Sequence, residues 1–209
     1  EVFHLYLSDI HIDRQRSEAI VKIYHPSEGS SPDPLYRNRR EYLARNFGLK
    51  PRTDYARSER LHAGWKAPLL TDRGMFFQVK FFPPEKAAEF LLVWRNYLIH
   101  QRVEPRRLEE HPYAFTNGLG QPETLKNFQR MHAGAVRRIG LEHSKFLGTT
   151  EHGHRHAYGY RLFEHGFSQV EIQKAMNHKS PDSCLVYTLP TDEELNSVMQ
   201  RIEELNYGE

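Results

Sequence analysis

Residues 150–158 read Thr-Glu-His-Gly-His-Arg-His-Ala-Tyr, and two short stretches downstream complete the pattern, Met176-Asn177-His178 and Val186-Tyr187-Thr188. His152 and Arg155 are three residues apart, a spacing that puts both on one face of a helix. His178 follows His152 by 26 residues, and Tyr187 follows His178 by nine. If these four converge, they supply two imidazoles, a permanently charged planar guanidinium and a phenol. Such a set can act on a phosphodiester without a metal. The guanidinium holds non-bridging oxygens with paired donors. The imidazoles donate hydrogen bonds or move protons near neutral pH, and the phenol attacks. An unperturbed phenol has a pKa of about 10, so this one needs positive charge or a base beside it.

Around this stretch the sequence reads as helices with a few strands. Ser168-x-x-Glu171 and Thr191-x-x-Glu194 are capping boxes, and Ser180-Pro181 reads as an N-cap followed by proline at the first helical position. Upstream, Pro122-Glu123 opens a helix that carries Leu125, Phe128, His132, Ala135, Val136 and Ile139 on one side and Lys126, Arg130, Arg137 and Arg138 on the other, with Gly140 as its stop. A linker rich in Pro, Gly and Asn covers 103–121, preceded by a helix over about 85–101. The β-branched and aromatic run Glu18–Tyr24 predicts a strand, as does Met75–Phe82, which ends at Pro83-Pro84.

The chain has 209 residues, one cysteine (Cys184) and a formal net charge of +2. A single cysteine excludes an internal disulfide framework and a cysteine-based zinc site, and it favours a reducing, cytoplasmic setting. No apolar run approaches the roughly 20 residues of a membrane helix, and the first residues do not form a signal peptide. The charge is unevenly spread. Between Tyr36 and Lys66 nine Lys and Arg face three acids, whereas Thr191–Glu209 holds six acids and one Arg. The basic stretch, interleaved with Tyr36, Tyr42, Phe47, Tyr55 and Trp65, is either a polyanion-binding surface, with Arg37, Arg39 and Arg40 as candidates, or a solvated helical hairpin.

The motif residues resemble the tyrosine recombinase (phage integrase) family. That family's H-x-x-R-H, apolar helix, Gly-x-Ser turn, Gly-His step and tyrosine nine residues on are matched here by His152-Gly-His-Arg155-His156, Leu162–Ser168, Met176-Asn-His178 and Tyr187. Asn177 stands where the family has Gly. The resemblance covers about 120–190 well. It implies a mixed α/β, mainly helical catalytic domain with a small antiparallel sheet on one side, occupying 1–190, with 27–65 as a basic insertion in a β-hairpin and 191–209 as a C-terminal amphipathic helix. It also implies site-specific recombination or integration through a 3′-phosphotyrosyl intermediate. In that reaction Tyr187 is the nucleophile, Arg155 and His178 stabilise charge, and His152 handles a proton. A hairpin lysine, best matched by Lys66 with Lys80 and Lys22 as alternatives, protonates the leaving oxygen.

The family's other arginine falls, by this match, just upstream of Glu1, and its core-binding clamp domain is also absent, so the chain reads as a fragment that is poorly active alone. The implied partners are double-stranded DNA, with Lys126, Arg130 and Arg137 as further candidate contacts, and other copies of the protein in a tetrameric synapse, with the C-terminal helix docking in trans. Neither ATP nor any other cofactor is implied. The alternation of His152, His154 and His156, with His143 close in sequence, raises a metal site. Alternation suits a strand better than a helix, however, and no carboxylate follows at short spacing, so no metal ligands are expected. Two rivals remain: a type IB topoisomerase-like strand transferase and a catalytically silent DNA-binding module.

Overall fold

Strand β2 (Glu18–Tyr24) alternates as its sequence requires, with Ala19, Val21 and Ile23 buried and the residues between them part-exposed. In the computed structural model, which describes residues 1–189 together with 195, 196, 199 and 200, β2 is the middle of a three-stranded antiparallel sheet. Strand β1 (Ile10–Asp13) pairs on one side with Ile10 opposite Val21, and β3 (Phe76–Gln78) on the other with Ile23 opposite Phe77. The Asp13 carboxylate closes the β1–β2 turn by accepting from the Gln15 and Arg16 amides. The buried face meets helix α2 (Lys86–His100) through Leu91 and Trp94, and Leu5, Phe77 and Ala114 complete this core. Burying such side chains contributes about 1.5–3 kcal/mol each.

The β2–β3 connection spans 25–75 and carries the basic stretch. Its helix α1 (Arg39–Phe47) is capped by Asn38, whose side chain accepts from the Glu41 amide, and it ends at Gly48 in the left-handed conformation. Leu43 packs with Tyr6 and Tyr113 in a second, smaller core. Strand β3 is shorter than the apolar run 75–82 predicts. The Val79 amide still bonds to the Val21 carbonyl, but beyond it Val79 and Phe81 pack on the core and the chain leaves the sheet.

Arg39 requires a correction. It was expected on a polyanion-binding face, yet it is 1% exposed. Its guanidinium is ion-paired to Asp9, donates from Nε to the Ser30 carbonyl at 3.2 Å and lies 4.1 Å from the ring centres of both Tyr6 and Tyr24. Arg52 is buried in a similar way, donating to the carbonyls of Leu61 and Phe3. These two residues tie the insertion to the chain start and are not surface charges. Arg37 and Arg40 are exposed, with Arg40 paired to Asp54.

Helices α3 (Leu125–Arg138), α4 (Glu151–Glu164), α5 (Gln169–Met176) and the single turn α6 (Leu185–Thr188) follow. The chain divides into two compact units, one ending at Arg155 and the other beginning at His156. Mixed α/β with a helical majority and a small antiparallel sheet is thus the observed fold class. No helix among the described residues is long and apolar enough to cross a membrane. The expected capping box at Thr191 and most of the C-terminal amphipathic helix lie outside the described residues.

Candidate active site

Helix α4 carries the first half of the motif. His152 and Arg155 sit in its first turns, both exposed. The histidine alternation that suits a strand is therefore housed in a helix. Lys66 belongs to the same unit and is also exposed, next to the half-buried Trp65. Trp65 is fixed by His4 and His25, each with its ring centre 5.6 Å away, and His4 Nε2 lies 3.0 Å from the Gly64 carbonyl oxygen. Lys22 instead lies in β2 with its Nζ 5.0 Å from the Phe76 ring centre, and Lys80 lies just beyond β3.

The second half of the motif lies in the unit that begins at His156. The Ser168 hydroxyl and the Glu171 carboxylate form the predicted capping box at the start of α5. The helix ends on Asn177 with φ +54°, in the left-handed region. Only Gly, and next to it Asn, enters that region readily, which accounts for asparagine where the family pattern has glycine. The turn presents His178 half-buried, its amide bonded to the Gln173 carbonyl and its Nδ1 3.2 Å from Cys184 Sγ. Ser180 then caps a 3-10 turn with Pro181 at its start, as expected, and this turn leads into α6 and Tyr187.

Tyr187 is 4% exposed. Its ring lies 5.8 Å from that of His156 and edge-on to Tyr160 at 5.3 Å. Gly159 makes this packing possible, because a Cβ there would come within 2.7 Å of the Tyr187 ring. Gly159 was not among the candidates, although a glycine inside a helix costs about 1 kcal/mol relative to alanine and so asks for a reason. Of the candidate DNA contacts, Lys126, Arg130 and Arg137 are exposed on α3. Their spacing of four and seven residues puts them on one face, opposite the side on which Phe128 meets Phe3 at 5.8 Å.

The small antiparallel sheet beside a set of helices makes this a mixed α/β, mainly helical fold. The chain belongs to the phage integrase family, whose model matches residues 85–194. Among curated proteins it is 28% identical over 120 residues to the tyrosine recombinase XerA of Pyrococcus furiosus, a match covering 55% of this chain and 38% of the relative. The crystal structure of XerA recombinase superposes with a TM-score of 0.53 at 16% identity, covering 96% of this chain and 51% of that one. The XerH site-specific recombinase, bound to a palindromic difH substrate in a post-cleavage complex, gives a TM-score of 0.55 at 15% identity, covering 97% and 41%. At these identities the solved structures establish the fold. The chain spans well under two thirds of the length of each of these relatives.

Proposed function

We propose that this chain is the catalytic part of a site-specific DNA recombinase or integrase that cuts and rejoins DNA through a 3′-phosphotyrosyl intermediate. The observation that carries the reading is the motif in its family order, with His152 and Arg155 on α4, His178 at the end of α5 and Tyr187 on α6, in a chain whose family is established. The phenol oxygen of Tyr187 attacks the scissile phosphorus and the bond to the 5′ oxygen breaks. The 3′ phosphate stays on the tyrosine and a 5′ hydroxyl leaves. Arg155 and His178 hold the non-bridging oxygens, where charge accumulates as the reaction proceeds. His152 positions or accepts the phenolic proton, and Lys66 gives a proton to the leaving 5′ oxygen. Positioning and charge stabilisation are most of what phosphoryl transfer asks of a protein. The covalent intermediate retains the phosphodiester energy, so rejoining needs no ATP.

The relative XerH is described in a post-cleavage complex with its substrate, which supports double-stranded DNA as the partner here. Lys126, Arg130, Arg137, Arg37 and Arg40 are the exposed cations that contact its phosphates, and the protein acts as an oligomer assembled on DNA. The test uses the full-length protein on a nicked suicide substrate. Tyr187→Phe abolishes the covalent protein–DNA adduct while DNA binding, measured by gel shift, persists. An undiminished adduct in Tyr187→Phe overturns the assignment.

A further inference from the structure

Three side chains outside the motif converge between α3 and the start of α4. His132 from α3, His143 from the connection and Glu151, the first residue of α4, each place one donor atom within 4.8 Å of the others. Two imidazole nitrogens in this cluster, His132 Nδ1 and His143 Nε2, are buried and have no hydrogen-bond partner. A buried polar atom without a partner costs about 1–3 kcal/mol, and here two such atoms come from residues that share one cluster. The third donor is prepared in the same way. Gln129 Nε2 hydrogen-bonds Glu151 Oε1, leaving Oε2, which lies 3.9 Å from His143 Nε2.

The geometry points to a site for one divalent first-row transition metal, of the zinc type, bound by His132 Nδ1, His143 Nε2 and Glu151 Oε2. Two imidazoles and one carboxylate are a ligand set that suits zinc and its neighbours, whereas calcium and magnesium take oxygen alone. His132 Nε2 lies 2.8 Å from His154 Nε2. With His132 donating there, its Nδ1 keeps a lone pair for the metal, and His154 fixes the ring in the way that outer hydrogen-bond partners orient metal ligands. The connection is shaped for the same purpose. The Ser144 amide donates to Thr149 Oγ1 at 2.9 Å, and a Cβ on Gly153 would overlap the Gly148 carbonyl oxygen at 1.7 Å, so glycine lets this turn close onto the first turn of α4. Tetrahedral zinc ligands stand about 3.3 Å apart, so binding draws donor atoms that lie within 4.8 Å of one another together by at most about 1.5 Å. A metal here clasps α3 to the turn of α4 that carries His152 and Arg155. Its role is structural, and it stands whether or not the strand-transfer reading holds.

The test is titration of the metal-stripped chain with Co2+ and Zn2+. The wild-type chain takes up one equivalent of Co2+ with the visible spectrum of a four- or five-coordinate ion. At free Zn2+ about a hundredfold above its dissociation constant, its Tm rises by about 5–10 °C. His143→Ala and Glu151→Gln lose both signals, His154→Ala weakens binding by roughly 10–100-fold, and His11→Ala, outside the cluster, behaves as wild type. Far-UV circular dichroism shows whether each variant folds, and the wild-type titration decides the matter even if one does not. Absence of a bound equivalent in the wild-type chain, or binding undiminished in both His143→Ala and Glu151→Gln, overturns the proposal.

Discussion

At the scale of single residues, close contact and burial decide roles that chain order leaves open. Gly159 is the plainest case. Alanine there gains about 1 kcal/mol of helix propensity, but its methyl meets the Tyr187 ring at 2.7 Å. Overpacking of this kind costs about 1–3 kcal/mol. Gly159→Ala is therefore expected to be net destabilising by up to about 2 kcal/mol in urea unfolding, and to lower adduct yield in the full-length protein by shifting the tyrosine. Arg39 and Arg40 make a second pair. Both were legible as basic residues next to aromatics. Nothing local distinguished them, because Asp9, the partner that buries Arg39, lies 30 residues earlier in the chain. Arg39→Ala leaves that carboxylate buried and unpaired and should cost about 3–5 kcal/mol. Arg40→Ala breaks an exposed pair worth at most about 1 kcal/mol. Urea midpoints of the two variants check the contrast, and equal losses would contradict the burial.

At the scale of elements, neighbouring residues carry strong signals and distant partners leave weak ones. The Ser168–Glu171 capping box, the Ser180-Pro181 start and the β-branched run of β2 are written in adjacent residues, whereas α3 begins at Leu125 behind a Thr124 cap and not at Pro122-Glu123. The cap at Ser168 matters because α5 ends on the turn that presents His178. Ser168→Ala is expected to cost about 1 kcal/mol by thermal unfolding, and Ser168→Asp, which keeps an acceptor, restores most of it. The true length of β3 was not legible, because the largely aromatic and β-branched run 75–82 continues past Gln78 without a break, while Phe81 packs against Phe90 on the core. Nor was the cluster of His132, His143 and Glu151, whose members come from two helices and a connection. Period 2 in His152, His154 and His156 suits a strand, whereas on a helix that spacing spreads them over different faces; of the three clustered residues only His143 stood out beside them in the sequence.

At the scale of the whole molecule, buried histidines set the response to acid. His4 is 3% exposed, and burial above all holds its pKa down to about 3. His111 is shifted the same way, again chiefly by burial. Both are neutral in the folded protein and take up a proton on unfolding, so their contribution to stability is complete above about pH 6.5, the ordinary histidine value. It is lost as pH falls from there, for His4 down to about 3, at a slope of up to about 1.4 kcal/mol per pH unit for each group. Stability measured by urea unfolding should decline between pH 7 and pH 5, and His4→Gln, which keeps a donor for the Gly64 carbonyl, should flatten part of that slope. The fold class was implied by the family resemblance that the motif carries, and family membership rests on a match that includes both motif halves. The central claim is that Tyr187 becomes covalently joined to DNA. Its most direct test is to trap the full-length protein on a suicide substrate, digest the complex and map the nucleotide-bearing peptide by mass spectrometry. The prediction is a single modified residue, Tyr187, linked to a 3′ phosphate; a modification on Tyr158 or Tyr160 instead, or DNA cleavage with no protein-linked nucleotide, would contradict it.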